Sequence, residues 1–544
     1  MKSKRWWKLF TYVPFLVVII VIGFIQTFLL ANEQVKPYPE PFGRATELPK
    51  QATIGEPVSL LSDSVFAYKT DQALAYVRID EEGRNTIETR ALPDIGNLHF
   101  VKFIHENTVI WIGEGNQLYA SEWMKGSWSP KTLLIDSQIS EVQTVMGQND
   151  ETILLASNES MLYVGTYQPK GNIMWSHLDI PNMKQLKGTV DERGDLSLVY
   201  ALSIEAAQTF HYAKLASGTW MPIVQHPLKS LDLVTSSLDD LALDFDGSTY
   251  LAAYTTSSRK SGKSSLHMLS FPKNQTDKVQ DEAIHIPVNA AGFESDTILH
   301  PAFTHGASGE ASLVVTSGYE KNRRFSSQEV YKLIFKEGKL ASSQRITQFD
   351  GFAEYPSLSL AGGKSLSTWL DPINTKSFRV YYATDQPTYL ERMNTVKSPD
   401  VQKAAENLPL FWGIALLTSL LSLKWIVLPG LYLVVISVFW QYHYDAYPKL
   451  HFGISLAMYL GVKALFINDF RKDLALQVMP DALQTVWVHF LMLLIFAVIS
   501  YVSTRLWRKG LDDRNVGLEM FYYVVLDVFI TNVWYAFFMS PATL

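Results

Sequence analysis

The sequence predicts an all-β, seven-bladed β-propeller set between an N-terminal transmembrane anchor and a C-terminal α-helical membrane bundle. Three observations predict it. A pair of short apolar strands recurs seven times through the middle of the chain, long apolar runs are confined to its two ends, and its 544 residues include no cysteine.

The clearest copy of the repeat is Tyr355–Ala383, YPSLSLAGGKSLSTWLDPINTKSFRVYYA, in which SLSTWL and RVYYA are strands parted by turn residues. The first strand has counterparts in SVFAY at Ser64, TVIWI at Thr108, TILLA at Thr152, LSLVYA at Leu196, TYLAAY at Thr249 and ASLVVT at Ala311. The second strand is centred on residues 74, 118, 162, 210, 266, 330 and 380, at intervals of 44, 44, 48, 56, 64 and 50. Turn sequences such as DERGD, DFDGS and LAGGK precede the pair, and three copies are followed by a glycine and a tryptophan (GSW, GNIMW, GTW). An earlier strand fits before each turn, as in LHFVKFI and LALDF, and a fourth fits after the pair, as in WSHLDI and WMPIV.

Four short strands every 40–50 residues is the pattern of a propeller blade. One twisted sheet cannot bury both of its faces alone, whereas radial packing covers each sheet with its neighbour. An irregular pair of β-sandwiches would not produce seven phased copies. The two widest intervals hold the polar segments TSSRKSGKSS and SGYEKNRRFSS. They read as surface loops on one rim, which makes Lys260, Lys263, Arg323 and Arg324 candidate binding residues.

The phrase YPSLSLAGGKSLSTWLD…RVYYATD resembles blades of the sialidase-like (BNR-repeat) propeller superfamily, over about Pro57 to Arg392. The nearest segment to that family's Asp-box, KLASGTW, keeps the Gly-Thr-Trp ending and lacks the aspartate. No arginine triad with a tyrosine nucleophile and acidic partner can be assigned. The resemblance therefore implies the fold and not glycosidase chemistry.

At the N-terminus, Lys2, Lys4, Arg5 and Lys8 precede an apolar run from Leu9 to Ala31. That run is longer than a signal-peptide core and reaches the roughly 20 residues needed to cross a bilayer. It reads as an uncleaved anchor with a cytoplasmic N-terminus, and a cleaved signal is the alternative. Residues 32–56, with EQVKPYPEPFG, read as a semi-extended linker, residues 57–396 as the extracytoplasmic propeller, and residues 397–544 as the helical bundle. Candidate spans in the bundle are Leu408–Tyr442, Phe452–Ile467, Leu483–Thr504 and Val516–Met539. Leu408–Tyr442 is long for one span. It either lies partly in the outer leaflet and crosses after Lys424, or forms a hairpin turning there. The Arg505–Arg514 cluster favours the single crossing, five spans in all, with six left open.

Within the spans, Glu519, Tyr523 and Asp527 share one helix stripe, with Asn532 beside it and Lys463 as a possible partner for Asp527. Three roles compete for this stripe: a structural ion pair, a contact for a partner subunit, and a proton or ion path. Glu519 and Lys463 lie near span ends, where a charged head can reach the interface. The sequence HYDAYPKLH reads as a solvated interfacial loop rather than a metal site built on His443, Asp445 and His451.

The formal net charge of −6 and the absence of a basic stripe argue against nucleic acid as a partner. Lack of cysteine removes disulfides, thiolate nucleophiles and sulfur-ligated metals, and fits a bacterial envelope. No phosphate-binding loop, nucleophile elbow or zinc-protease motif is present, so no catalytic residue, cofactor or metal ligand is assigned. The expected role is that of an integral cell-membrane scaffold or sensor rather than an enzyme. Its propeller would bind a ligand or an envelope protein, the lipid bilayer being the other partner. The alternative is a transporter component or membrane-embedded enzyme with its polar site in the bundle.

Overall fold

The computed structural model describes residues 13–35, 42–53, 55–93, 100–147, 151–168, 173–204, 207–232, 234–286, 295, 297–304, 311–322, 325–336, 338–347, 351–361, 364–470, 485–509 and 514–539. The chain divides into two compact units, Pro37–Asn394 and, together, Met1–Lys36 with Thr395–Leu544.

The first unit is the seven-bladed propeller. Blades I to VI are each continuous in sequence, starting with inner strands Ser59–Leu60, Phe100–His105, Glu141–Met146, Met183–Val190, Ser236–Phe245 and Ile298–Thr304. Each has four strands except blade II, where the short strand Ser127–Trp128 adds a fifth. Blade VII has inner strand Glu354–Ala361, then Lys364–Asn374 and Ser377–Thr384. Its fourth strand is Thr46–Glu47, contributed from ahead of blade I, with Thr46 opposite Tyr382 and Glu47 opposite Tyr381. The sequence places residues 46–47 in the linker, because a two-residue strand carries no periodicity to read. Backbone pairing decides it: Gly43 N donates to Thr384 O at 3.1 Å and Leu48 N to Val380 O at 2.9 Å.

The second and third strands of every blade are the apolar pairs of the repeat, buried because both faces of each sheet meet a neighbour. One apolar cluster lies at each of the seven blade interfaces. Ala67, Tyr76, Phe103 and Trp111 join blades I and II, for example, and Val314, Val330, Trp369 and Ala383 join VI and VII. Phe66, Val77, Leu370 and Tyr382 close the ring between VII and I. The turns obey local chemistry. In DFDGS, Asp246 Oδ1 accepts from the amides of Ser248 (2.9 Å) and Thr249 (2.7 Å), and Gly247 takes φ +96°, open to glycine at no steric cost.

In the second unit, α1 (Val13–Val35) is long and apolar enough to cross a membrane, as are α7 (Val486–Arg508) and α8 (Val516–Met539). A short α2 (Pro387–Met393) belongs to the propeller, and α3 (Ser398–Ser419) and α4 (Lys424–Phe439) follow. These last two form a pair bent by 45° that together pass the same test. The hairpin considered at Lys424 is therefore not what forms there. The loop HYDAYPKLH is helical instead, as α5 (Gln441–Ala446) and the first turn of α6 (Pro448–Leu465). The expected span Phe452–Ile467 falls largely on α6, which is not among the helices apolar enough to cross alone. Lys449, His451 and Lys463 dilute it.

Gln26, fully buried in α1, donates to Val533 O of α8 at 2.7 Å and accepts from Trp412 Nε1 of α3 at 3.2 Å. The N-terminal helix is thus packed into the bundle rather than standing apart as a separate anchor. The lone Gln26 in an apolar run was the available signal.

Leu48, 3% exposed in the cluster between blades VII and I, tests the ring closure. Leu48→Ala is expected to cost about 2–5 kcal/mol of propeller stability, measured by denaturant unfolding of the detergent-solubilised chain. A loss below about 0.5 kcal/mol would mean that residues 46–48 are only a linker.

Candidate functional site

The first strands of blades III, IV, V, VI, VII and I pack against one another in succession, so the first strands are the inner ring. Repetition of the same up-and-down order makes all seven run the same way along the axis. Residues near the start of each inner strand consequently meet at one mouth of the ring. The hairpins between second and third strands emerge at that same rim. Lys260 and Lys263, both exposed in such a hairpin of blade V, sit on it. Arg323 and Arg324, in the corresponding hairpin of blade VI, lie outside the described residues.

Every blade carries a polar residue in or just ahead of its inner strand: Glu56 ahead of blade I, Lys102 in II, Glu141 in III, Lys187 in IV, Asp240 in V, His300 in VI, and Glu354 with Tyr355 in VII. Lys187 and Asp240 lie midway along theirs, and charge coupling joins Glu56 to Lys102, Lys187 and Glu141. Some are paired. Lys187 Nζ donates to Glu141 Oε1 at 3.1 Å, and Gln185 Nε2 to Asp239 O at 2.7 Å. Asp240 Oδ2 accepts from the His300 backbone amide at 3.1 Å and lies 3.5 Å from His300 Nδ1, close enough for ion pairing without hydrogen-bond geometry. Burial opposes ionisation of Asp240, but the His300 ring and amide outweigh it and hold the carboxyl below its usual range.

Others have no partner. Among the described residues, Glu56, Lys102 and Glu354 make neither a hydrogen bond nor an ion pair, yet each is at least half-buried. Burial raises the Glu56 carboxyl to about 7, with Lys102 and Lys187 pulling it down and Glu141 pushing it up. Burial, with Lys187 beside it, lowers the Lys102 ammonium against the pull of Glu56 and Glu141. Burial raises Glu354 as well, His300 opposing and Asp371 adding. Groups from blades I to IV thus sense one another across the axis.

The aromatic pair is preset by the backbone. His300 and Tyr355 have φ of +53° and +48°, uncommon for residues with a β-carbon, and their rings meet at 4.2 Å between centroids, tilted by 33°. Each stands directly before a proline, Pro301 and Pro356, at a register shift in its inner strand. Bulges of this kind re-aim side chains and are enriched beside binding sites. The repeated aromatic–Pro dipeptide in ILHPAFT and EYPSLSLA was legible as a signal and went unused.

The bundle holds the second set of candidate residues. Asp527 Oδ2 accepts from Lys463 Nζ at 2.5 Å and from the Tyr459 hydroxyl at 2.7 Å, and Lys463 donates also to Thr531 Oγ1 at 2.7 Å. Lys463 is 1% exposed and roofed by the Trp425 ring, so it does not reach toward an interface. Glu519 does not either: its side chain is 3% exposed, and Arg508 Nε (2.8 Å) and Arg514 Nε (3.4 Å) come to it. Asn532 Nδ2 donates to Ser422 Oγ at 2.9 Å, tying the α3–α4 bend to α8. His451 is 5% exposed, with Nδ1 2.8 Å from the Tyr432 hydroxyl. No group of three metal-ligating side chains occurs among the described residues.

These features define a class: a seven-bladed β-propeller with a charged axial mouth, carried on a chain with candidate membrane helices. No protein-family model matches the chain, and no curated protein matches it. Solved structures similar to the propeller include the polysaccharide lyase Uly1 (TM-score 0.40, 9% identity, 61% of this chain and 89% of that one). Trypanosoma rangeli sialidase with the inhibitor DANA gives TM-score 0.37 and 10% identity over 64% of this chain and 61% of that one. Virginiamycin B lyase from Staphylococcus aureus gives TM-score 0.37 and 12% identity over 63% of this chain and 99% of that one.

Two predictions follow from the two clusters. The folded Glu56 carboxyl titrates near 7 against about 4.5 unfolded, so its contribution is intact below pH 4.5 and lost as pH rises through 7. Glu56→Gln, which cannot ionise, should gain on the order of 2 kcal/mol over the native chain between pH 5 and pH 8, after discounting for residual exposure. Parallel unfolding curves at the two pH values measure it, and equal differences at both would refute it. In the bundle, Lys463→Ala strands a buried carboxylate and should cost about 3–5 kcal/mol, most of it recovered by Lys463→Met with Asp527→Leu. Thermal unfolding in detergent reads both.

Proposed function

We propose that this chain is a membrane-anchored propeller of the cell envelope, displayed on the extracytoplasmic side, that captures a soluble ligand at its axial mouth and acts as sensor or scaffold. The observation that carries the reading is the trio Glu56, Lys102 and Glu354. Half-buried charges without a protein partner cost stability and are retained where they meet something else. Their neighbours support it, because His300 and Tyr355 are fixed in strained backbone at the same mouth. Orientation rests on the basic residues at Lys2–Lys8 and Arg505–Arg514, which favour the cytoplasmic side. An envelope-protein partner on the rim carrying Lys260 and Lys263 is compatible with this arrangement.

A second reading, chemistry or transport in the bundle, is favoured by one feature. Asp527 Oδ1 and the Tyr523 hydroxyl are buried in the polar centre without partners.

Absence of native cysteine makes topology directly testable. In intact cells, Lys260→Cys should react with a membrane-impermeant maleimide, while Lys509→Cys should react only after permeabilisation. The reverse pattern would place the propeller inside. Ligand capture is tested by purifying the full chain from native membranes, denaturing it, and comparing the released small molecules by mass spectrometry with those from Lys102→Met. A species lost from the variant supports the axial site. Identical spectra would refute it and leave the bundle as the working part.

A further inference from the structure

Resting on the axial-mouth reading, the charges left open there specify what is held. Glu141 is committed to Lys187, and Asp240 to His300. Among the described residues, the charged side chains of the mouth with neither a hydrogen bond nor an ion pair are two carboxyls, Glu354 of blade VII and Glu56 ahead of blade I, and one ammonium, Lys102 of blade II. Blades VII, I and II are consecutive around the ring, so opposite charges stand open on one arc of the mouth. Glu56 and Lys102 feel each other electrostatically, and Tyr355 feels both Glu354 and Glu56, so the three belong to one neighbourhood.

A simple anion would satisfy Lys102 while facing Glu56, Glu354, Asp240 and Glu141. A simple cation would satisfy the carboxylates while facing Lys102 and Lys187. A neutral polyol would leave charge of both signs uncompensated. A molecule with a cationic donor at one end and an anionic acceptor at the other satisfies all three open groups together. The Tyr355 ring, packed at a tilt against His300 and fixed by its bulge, adds a π-face beside the carboxyls where an ammonium gains further attraction.

We propose that the axial mouth binds a small zwitterion, an α-amino acid being the simplest member of the class, with its ammonium group at Glu354 and Glu56 and its carboxylate at Lys102. Because neither Lys102 nor Glu354 has an intramolecular bond to lose, Lys102→Met and Glu354→Gln should fold and show equal or higher melting temperature. That separates lost binding from lost structure.

The test is isothermal titration of the full chain in nanodiscs of phosphatidylglycerol, a lipid without a zwitterionic headgroup. Glycine, leucine, phenylalanine, glutamate and lysine form one arm of ligands and phosphocholine the other, distinguishing a free amino acid from a lipid headgroup source. For the tightest ligand, blocking either charged end, as the N-acetyl or the amide form for an amino acid, should weaken binding at least tenfold. Lys102→Met should bring the acid down to the affinity of its amide, and Glu354→Gln should bring it toward the N-acetyl form. Equal affinity for blocked and unblocked forms, or no binding in either arm, overturns the zwitterion assignment. If Lys102→Met still loses a natively bound small molecule, only the ligand class falls. If it does not, the axial reading falls with it.

Discussion

The propeller depends on one constraint: a four-stranded sheet with two apolar faces must have both covered. Each of the seven interfaces is filled by its own cluster, from Ala67 and Trp111 at one to Val314 and Trp369 at another. The cover is reciprocal, so no blade is stable without the next. Ring closure then follows, and with it the convergence of seven inner strands on an axis. The mouth is a by-product of burial elsewhere. There, side chains from the blades come within electrostatic reach outside the apolar interfaces.

That position explains why charge collects at the mouth. The interfaces are apolar and the turn donors are satisfied, as at Asp246. At the axis, open charges coexist with two residues at positive φ, features that cost of order 1–3 kcal/mol each. Natural chains tolerate such local conflict where function requires it and compensate through packing nearby. The bundle makes a contrasting choice. Lys463 and Asp527 are deeply buried but mutually satisfied on one oxygen, with Tyr459 and Thr531 completing the set.

The repeat was legible because second and third strands are buried on both faces, so SVFAY, TVIWI and TYLAAY stand out as unbroken apolar runs. Inner strands are mixed by necessity, apolar toward neighbouring blades and polar toward the axis. Lys102 and Glu354 were therefore indistinguishable from surface charges. Thr46–Glu47 was invisible because its strand character comes entirely from its partner, Tyr381–Tyr382. The Glu519–Tyr523–Asp527 stripe was legible from four-residue spacing, whereas Lys463, on another helix, could be named only as a candidate partner for Asp527. The environment of Glu519 was not, because the arginines that surround it come from α7 and from the residues before α8.

Closure of the ring by Thr46–Glu47 has a mechanical meaning. Gly43 and Thr384 are hydrogen-bonded neighbours, so the polypeptide enters and leaves the propeller at a single blade. Tension on the chain ahead of the ring meets that clasp first, whereas tension on the chain behind it meets α2, where Thr388 Oγ1 donates to Glu81 O at 2.8 Å and Arg392 donates to Gly83 O at 2.7 Å in blade I. The clasp's strand is two residues long, extended by backbone bonds from Gly43, Leu48 and Ala52, and the six remaining sheets are continuous in sequence. The seam where the propeller's first strand meets its last is thus guarded on one side by the clasp and on the other by α2.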